Sequence, residues 1–203
     1  MPRLEQQLAF LLTADRLKAV QRRNYTLAGR REFTAEHCWH VALAAVLLHE
    51  HAAQPVDLGR VLLMLLIHDL VELEAGDTFV YDVKARQDQS QREQEAAQKL
   101  FSQLPADQGQ LLGELWWEFT FGRSPEARFA RSLDRLLPVL LNVATEGRAW
   151  SEHGVGARQV LERNAEVAEG SPVLWQVVQE LVSQAVQQGF LADQGPLPSQ
   201  DTP

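Results

Sequence analysis

One stretch, VLLMLLIHDLVELEAGD at residues 61–77, constrains the fold of this chain more than any other. A run of apolar residues is followed by His68, Asp69 and Glu72 within about one helical turn. The run is too long and too rich in leucine for a typical strand. It predicts a helix that is apolar on nearly every side and lies at the centre of its domain. Isolated charges there must be neutralised, paired or bound to a metal. With Asp77 just beyond, three acids lie close together, and a bound cation is the simplest explanation.

Composition narrows the class of protein. The 203 residues suffice for one domain with a sizeable core. No apolar run approaches the length of a membrane span, and the first residues lack a signal-peptide pattern, so we expect no contact with a membrane. Cys38 is the single cysteine, which excludes an internal disulfide and is typical of a reducing compartment, so we expect a cytoplasmic protein. The formal net charge of −8 argues against nucleic-acid binding.

The remaining periodicity predicts helices and few strands. Small polar residues mark the positions where helices begin, and a proline follows two of them. The expected N-caps are Thr34, Asp57, Ser124 and Ser171. Gly76 is the expected end of the central helix. The pattern predicts one domain over residues 1–192 and a disordered tail over residues 193–203, which lack a periodic apolar face.

Asp134 stands out because it lies inside an apolar helix. Pro138, four residues further on, has no N–H and leaves the carbonyl of Asp134 without its helical donor, so we expect a kink there. A buried acid at a kink is unusual. One explanation is a salt bridge to Arg131 or Arg135, and the other is a role as a metal ligand together with the histidines and Asp69.

A metal site needs ligands from more than one helix. His68 and Asp69 are neighbours on a helix and point about 100° apart, so they share an ion only if it lies against the helix flank between them. Two more ligands must then come from other helices, for which His37 and Asp134 are available. Two imidazoles and two carboxylates leave positions open for water on a six-coordinate ion. The identity of the ion, among Mn, Co, Ni, Fe, Zn and Mg, stays open.

Two further acids are candidates for proton transfer. Glu72 follows His68 by one turn and lies on the same side of the helix, close enough to act as general acid or base. The alternative is an exposed charge at a helix end. Asp77 could do similar work or cap the loop after Gly76.

Positive charge is concentrated between residues 16 and 31 of an otherwise acidic chain. One interpretation is a solvated helix end and loop, with a turn at Gly29. The other is an anion site, because guanidinium groups match phosphate oxygens in a bidentate way.

Three segments together resemble the HD-domain metal-dependent phosphohydrolases. They are AEHCWHVA at residues 35–42, HDLVELEAGD at residues 68–77 and RSLDRL at residues 131–136. The family pattern is a histidine, a His-Asp doublet and a distant aspartate, all on helices around one metal. The closer likeness is to the 5′-deoxynucleotidase-like HD-domain proteins, and it covers roughly residues 15–150.

The resemblance implies a fold, a site and an activity. The fold is an all-α, single HD-domain helical bundle with the metal among its central helices. The implied ligands of one divalent ion are His37, His68, Asp69 and Asp134. The resemblance implies that Glu72 and Asp77 transfer protons and that Arg22 or Arg23 binds the phosphate. The expected reaction is hydrolysis of (deoxy)nucleoside 5′-monophosphates, or a similar small phosphate, to nucleoside and phosphate, by a homodimer.

The chain departs from the family pattern at two places. Cys38 stands where serine is usual, and the upstream arginine is normally followed by tryptophan, whereas here Arg23 follows Arg22. The preference for base and sugar therefore stays open. Two alternatives remain as well: an HD hydrolase of another phosphoester or of a nucleoside triphosphate, and a catalytically silent module that senses nucleotides.

Overall fold

The computed structural model describes residues 2–75 and 89–193, which form a bundle of helices with one two-stranded hairpin. Gly76, Asp77 and residues 194–203 of the expected tail lie outside the described residues. The all-α bundle expected from the sequence is confirmed. The helices are α1 (Pro2–Asp15), α2 (Thr34–Leu48), α3 (Leu58–Ile67), α4 (Glu72–Ala75), α5 (Gln89–Phe101), α6 (Ala106–Phe121), α7 (Pro125–Ala144), α8 (Arg148–Glu152), α9 (Ala157–Asn164), α10 (Val167–Gly170) and α11 (Pro172–Gln187). Short 3₁₀ segments cover Arg16–Ala19, His49–His51 and His68–Val71. None of the helices in the described ranges has the length and apolar character that a bilayer span requires.

Helix α3 is central to the bundle, but it is not enclosed on every side. It packs against α2, α6 and α7, and its Met64 and Leu65 are fully buried. Burial of such a side chain contributes roughly 1.5–3 kcal/mol. Leu63 and Leu66, on another face, are 44% and 58% exposed. The helix is central, as expected, but neighbouring helices cover only part of its apolar surface.

The segment that carries the positive charge contains strands that the sequence analysis did not predict. β1 (Gln21–Tyr25) pairs antiparallel with β2 (Arg31–Phe33). The turn between them includes Gly29 at φ +80°, where a residue with a Cβ would be strained. The strands are short and polar, so they lack the alternation of apolar residues that normally reveals a strand.

Three of the four expected N-caps are confirmed. Their side chains accept hydrogen bonds from backbone N–H groups in the first turn: Asp57 from Arg60, Ser124 from Ala127 and Ser171 from Leu174. Thr34 is the exception, because it is the first residue of α2 and Phe33 occupies the cap position. Its hydroxyl instead donates a hydrogen bond to Glu72 Oε2 at 3.2 Å.

Helix α7 brings the distant aspartate into the bundle. It runs as one helix from Pro125 to Ala144 and includes Pro138. The side-chain amide of Asn142 donates to the Pro138 carbonyl at 2.8 Å and to Asn24 Oδ1 at 3.1 Å. This second bond ties β1 to α7, and it holds the strand that carries Arg22 beside the helix that carries Asp134.

Candidate metal centre

Four side chains from three parts of the chain converge at one point inside the bundle. His37 comes from α2, His68 and Asp69 from the 3₁₀ segment that follows α3, and Asp134 from α7. Ligand atoms of His37, His68 and Asp69 all lie within 4.8 Å of one another. Asp134 Oδ1 lies 2.9 Å from His37 Nε2 and 3.5 Å from His68 Nε2. The structure therefore brings all four of the proposed ligands together.

The adjacent residues His68 and Asp69 can face one ion. His68 Nε2 lies 3.2 Å from Asp69 Oδ1. Two donors bound to one ion at about 2.1 Å lie roughly 3.0–3.4 Å apart. The separations of His68 Nε2 from the two carboxylates, and of His37 Nε2 from Asp134, are close to this range. These three separations are thus those expected of donors that share a single ion.

The hydrogen bonding of His68 shows which nitrogen is available. His68 Nδ1 lies 2.8 Å from the Leu65 carbonyl oxygen, so Nδ1–H donates to that oxygen and Nε2 is the nitrogen left for a metal. Nε2 faces oxygens of Asp69 and Asp134. A bare lone pair beside these carboxylates would be repelled, so Nε2 carries either a proton or a metal ion.

The pKa values of His68 and Asp69 show that their surroundings favour a positive charge between them, whereas the pKa of His37 favours a neutral ring. Burial disfavours the charged form of His68, but Asp69 and Asp134 outweigh burial and raise its pKa well above the usual value. Burial also opposes ionisation of Asp69, yet His68 and Arg22 lower its pKa to about 2. Burial and the charge of Arg22 lower the pKa of His37 to about 4, which keeps this imidazole neutral and able to bind a metal.

The alternative explanation for Asp134, a salt bridge to a neighbouring arginine, is wrong. Arg135 pairs with Glu166 at 3.0 Å. Arg131 donates to the backbone carbonyls of Phe119 and Gly122 at 2.5 and 3.0 Å. Asp134 instead bonds to histidine.

Glu72 lies beside the four proposed ligands. It is the first residue of α4, and its side chain is only 16% exposed, so the alternative of a solvated charge at a helix end is wrong. Its Oε2 accepts a hydrogen bond from the Thr34 hydroxyl at 3.2 Å, and its Oε1 lies 3.9 Å from Arg22 Nη1. Asp77 lies outside the described residues, so its role stays a prediction.

The hairpin separates the two candidate arginines. Arg22 is largely buried, and its Nη1 donates to Asp69 Oδ2 at 2.6 Å. The next residue, Arg23, is exposed. Burial of the imidazole and, after it, the charge of Arg23 lower the pKa of His153. Of these two arginines, it is Arg22 that lies at the candidate metal centre.

The sequence did not place two further residues, Glu32 and Thr34, at this site. Glu32, on β2, is 3% exposed, and burial raises its pKa to about 7. Thr34 is fully buried and bonds to Glu72. Neither residue belongs to a motif. Both residues are recognised by burial of a polar side chain, and this burial can be seen only in the folded hairpin.

Metal binding should stabilise the protein, because these buried donors are held together only in the folded state. At a free ion concentration 100 times the dissociation constant, the gain in unfolding free energy is about 2.7 kcal/mol. For a chain of this size that corresponds to an increase in Tm of several degrees. Calorimetry of chelator-treated protein with and without added divalent ion measures this increase in Tm. The Asp134→Ala variant, lacking one donor, should show a much smaller increase. An equal increase in both proteins would place the ion elsewhere.

Comparison with known proteins agrees with the fold. The family model of the HD domain matches residues 14–175. The chain therefore belongs to the HD domain family. A crystal structure of a predicted metal-dependent phosphohydrolase from Magnetospirillum magnetotacticum MS-1 superposes with a TM-score of 0.89 at 43% identity, covering 94% of this chain and 96% of the other.

Curated relatives are more distant. The 5′-deoxynucleotidase HDDC2 proteins of Bos taurus and Homo sapiens are each 30% identical to this chain over 135 residues, which is 66% of the chain. The chain matches 64% of the length of the cattle protein and 65% of the human protein. The similarity thus spans a part of each relative.

Proposed function

We propose that this protein is a metal-dependent phosphohydrolase that converts (deoxy)nucleoside 5′-monophosphates to nucleoside and phosphate. The observation that carries the proposal is the convergence of His37, His68, Asp69 and Asp134 beside one guanidinium and one further carboxylate. Membership of the HD domain family and the similarity to a predicted metal-dependent phosphohydrolase support the reaction class. The 5′-deoxynucleotidase relatives support the choice of substrate.

The residues divide the chemistry between them. His37, His68, Asp69 and Asp134 would hold the ion. A divalent ion supplies Lewis-acid chemistry when bound, since it activates water as a nucleophile and polarises a phosphoryl oxygen.

Arg22 binds and orients the phosphate of the substrate. A guanidinium carries five N–H donors in a planar fork, so Arg22 can keep its bond to Asp69 while it contacts a phosphate oxygen. Burial strengthens the attraction, because a charge that is screened by little water interacts more strongly.

Glu72 transfers a proton during the reaction. Its carboxylate faces the candidate metal centre from α4, held by Thr34 on one oxygen and close to Arg22 on the other. This position lets it accept a proton from the attacking water or donate one to the leaving alcohol, whose oxygen becomes the 5′-hydroxyl of the nucleoside.

A panel of substrates tests the proposal. Release of phosphate and of pyrophosphate would be measured for deoxynucleoside and ribonucleoside monophosphates, nucleoside triphosphates and simple phosphomonoesters, each with Mn, Co, Mg and Zn in turn. We expect phosphate from the monophosphates. Turnover of triphosphates alone would support the other HD hydrolases, and binding without turnover would support a nucleotide-sensing module. The homodimer implied by the family resemblance stays a prediction that light scattering can check.

Arg22 and Arg23 form a matched pair of variants. Arg22→Ala should raise KM for a nucleoside monophosphate by about tenfold or more, as expected for the loss of a charge-assisted contact worth roughly 1.5–3 kcal/mol. Arg23→Ala removes the same charge from the exposed neighbour and should change KM much less. Steady-state kinetics measure both. If both substitutions raise KM equally, or if neither changes it, Arg22 does not bind the phosphate.

A further inference from the structure

A buried carboxylate lies behind His37, on the opposite side of the imidazole from Asp134. Glu32 Oε2 is 3.8 Å from His37 Nδ1, whereas Asp134 contacts Nε2. The same oxygen is 3.8 Å from Arg22 Nε. These three atoms are buried, and none has a hydrogen-bond partner among the residues that the structure describes.

The three atoms have complementary roles as hydrogen-bond donors and acceptor. Buried polar groups nearly always have partners, so a cluster of three without them calls for an explanation. Arg22 Nε–H is a donor and Glu32 Oε2 is an acceptor. His37 Nδ1 becomes a donor as soon as Nε2 is used for a metal, because the neutral imidazole then carries its proton on Nδ1. Moving the carboxylate by less than about 1 Å would give an ordinary N–H···O distance.

We propose that Glu32 is a positioning residue of the metal centre. It accepts a hydrogen bond from His37 Nδ1–H, which fixes the tautomer that presents Nε2 to the ion. Through the same carboxylate it holds Arg22, whose other end bonds to the ligand Asp69. Carboxylates in this position behind a metal-binding histidine increase ligand basicity and fix ring orientation. The inference rests on the proposed function in one respect, namely that the ion binds at His37.

Direct measurement of metal affinity tests this role. The variants are Glu32→Gln, which keeps the size and an oxygen acceptor but removes the charge, and Glu32→Leu, which removes both. Competition with a chromophoric chelator gives the dissociation constant of Mn, Co or Zn for metal-free protein. We expect weakening by roughly 10–100-fold, with the larger effect for Glu32→Leu. The visible spectrum of the Co(II) form should shift as well, because the orientation of one imidazole changes.

A matched control separates positioning from general stability. Glu152 accepts a hydrogen bond from Tyr25 on β1 at 2.7 Å and pairs with Arg31 on β2 at 2.5 Å, so it also stabilises the hairpin, yet it contacts none of the four proposed ligands. Glu152→Gln should leave the dissociation constant and the Co(II) spectrum unchanged.

The possible results distinguish this inference from the proposed function. If the parent protein binds no divalent ion, both are wrong. If the parent binds an ion and Glu32→Gln binds it within about twofold as tightly, the role of Glu32 is wrong and the metal centre stands. If Glu152→Gln loses as much affinity as Glu32→Gln, loosening of the hairpin explains the loss and the role of Glu32 is again wrong. If Glu32→Leu fails to fold, the dissociation constant measured for Glu32→Gln decides whether Glu32 has this role.

Discussion

Glu72→Ala is expected to lower kcat by roughly 10²–10⁴-fold, the usual range for loss of a general acid or base. The fold and the metal content should be retained, because the contacts of Glu72 to Thr34 and Arg22 lie beside the four ligands rather than among them. Glu72→Gln keeps the size of the side chain and removes the titratable group, so it should be nearly as poor. Steady-state kinetics and elemental analysis of the same preparations measure both effects.

Glu74 provides a control on the same short helix. Its carboxylate pairs with Lys99 of α5, on a different helix from the proposed ligands. Glu74→Gln should therefore leave kcat close to that of the parent. Loss of metal from Glu72→Ala would mean that Glu72 is a ligand or holds one in place. Retention of most activity by Glu72→Gln would mean that a hydrogen bond suffices, and Asp77 would become the better candidate for proton transfer.

His68→Ala and Asp134→Ala are expected to abolish stoichiometric metal binding and, with it, activity. We expect one divalent ion per chain in parent protein that is purified without chelator. Each substitution removes a donor from a set of four in which the measured contacts are 2.9–3.5 Å, and close packing of the bundle prevents another side chain from replacing it. Elemental analysis measures the ion directly.

His40→Ala is the matched control for these variants. His40 lies on α2 one turn after His37, but its ring stacks against Trp39 at 5.8 Å between centroids rather than joining the converging ligands. Metal content should be unchanged in this variant. Full occupancy in both His68→Ala and Asp134→Ala would contradict the assignment of the ligands.

The interior position of three of the four proposed ligands could be predicted from the sequence because each has a strong local signal, whereas His37 was expected from the family resemblance. His68 and Asp69 interrupt a long apolar run, and Asp134 interrupts another, so burial of a charge could be inferred from the pattern alone. The caps at Asp57, Ser124 and Ser171 were predictable for a similar reason, since helix starts depend on neighbouring residues. These features need no knowledge of how distant segments pack.

The hairpin and its consequences could not be predicted in this way. β1 and β2 are short, polar and stabilised by their position against α2, α7 and α8, so no periodicity reveals them. Without the hairpin, Arg22 and Arg23 are equivalent, and Glu32 is one more acid in an acidic chain. The exposed face of α3 is a related case, because an apolar run does not say which of its residues a neighbouring helix will cover.

The central claim is that this site hydrolyses a phosphomonoester and needs a metal to do so. The most direct test is phosphate release from a deoxynucleoside 5′-monophosphate by chelator-treated protein, before and after addition of Mn, Co, Mg or Zn, for the parent and for Asp134→Ala. We predict negligible release without metal, recovery of the parent by at least one ion, and no recovery of Asp134→Ala. Undiminished release by metal-free parent, or equal recovery of both proteins, would contradict the claim.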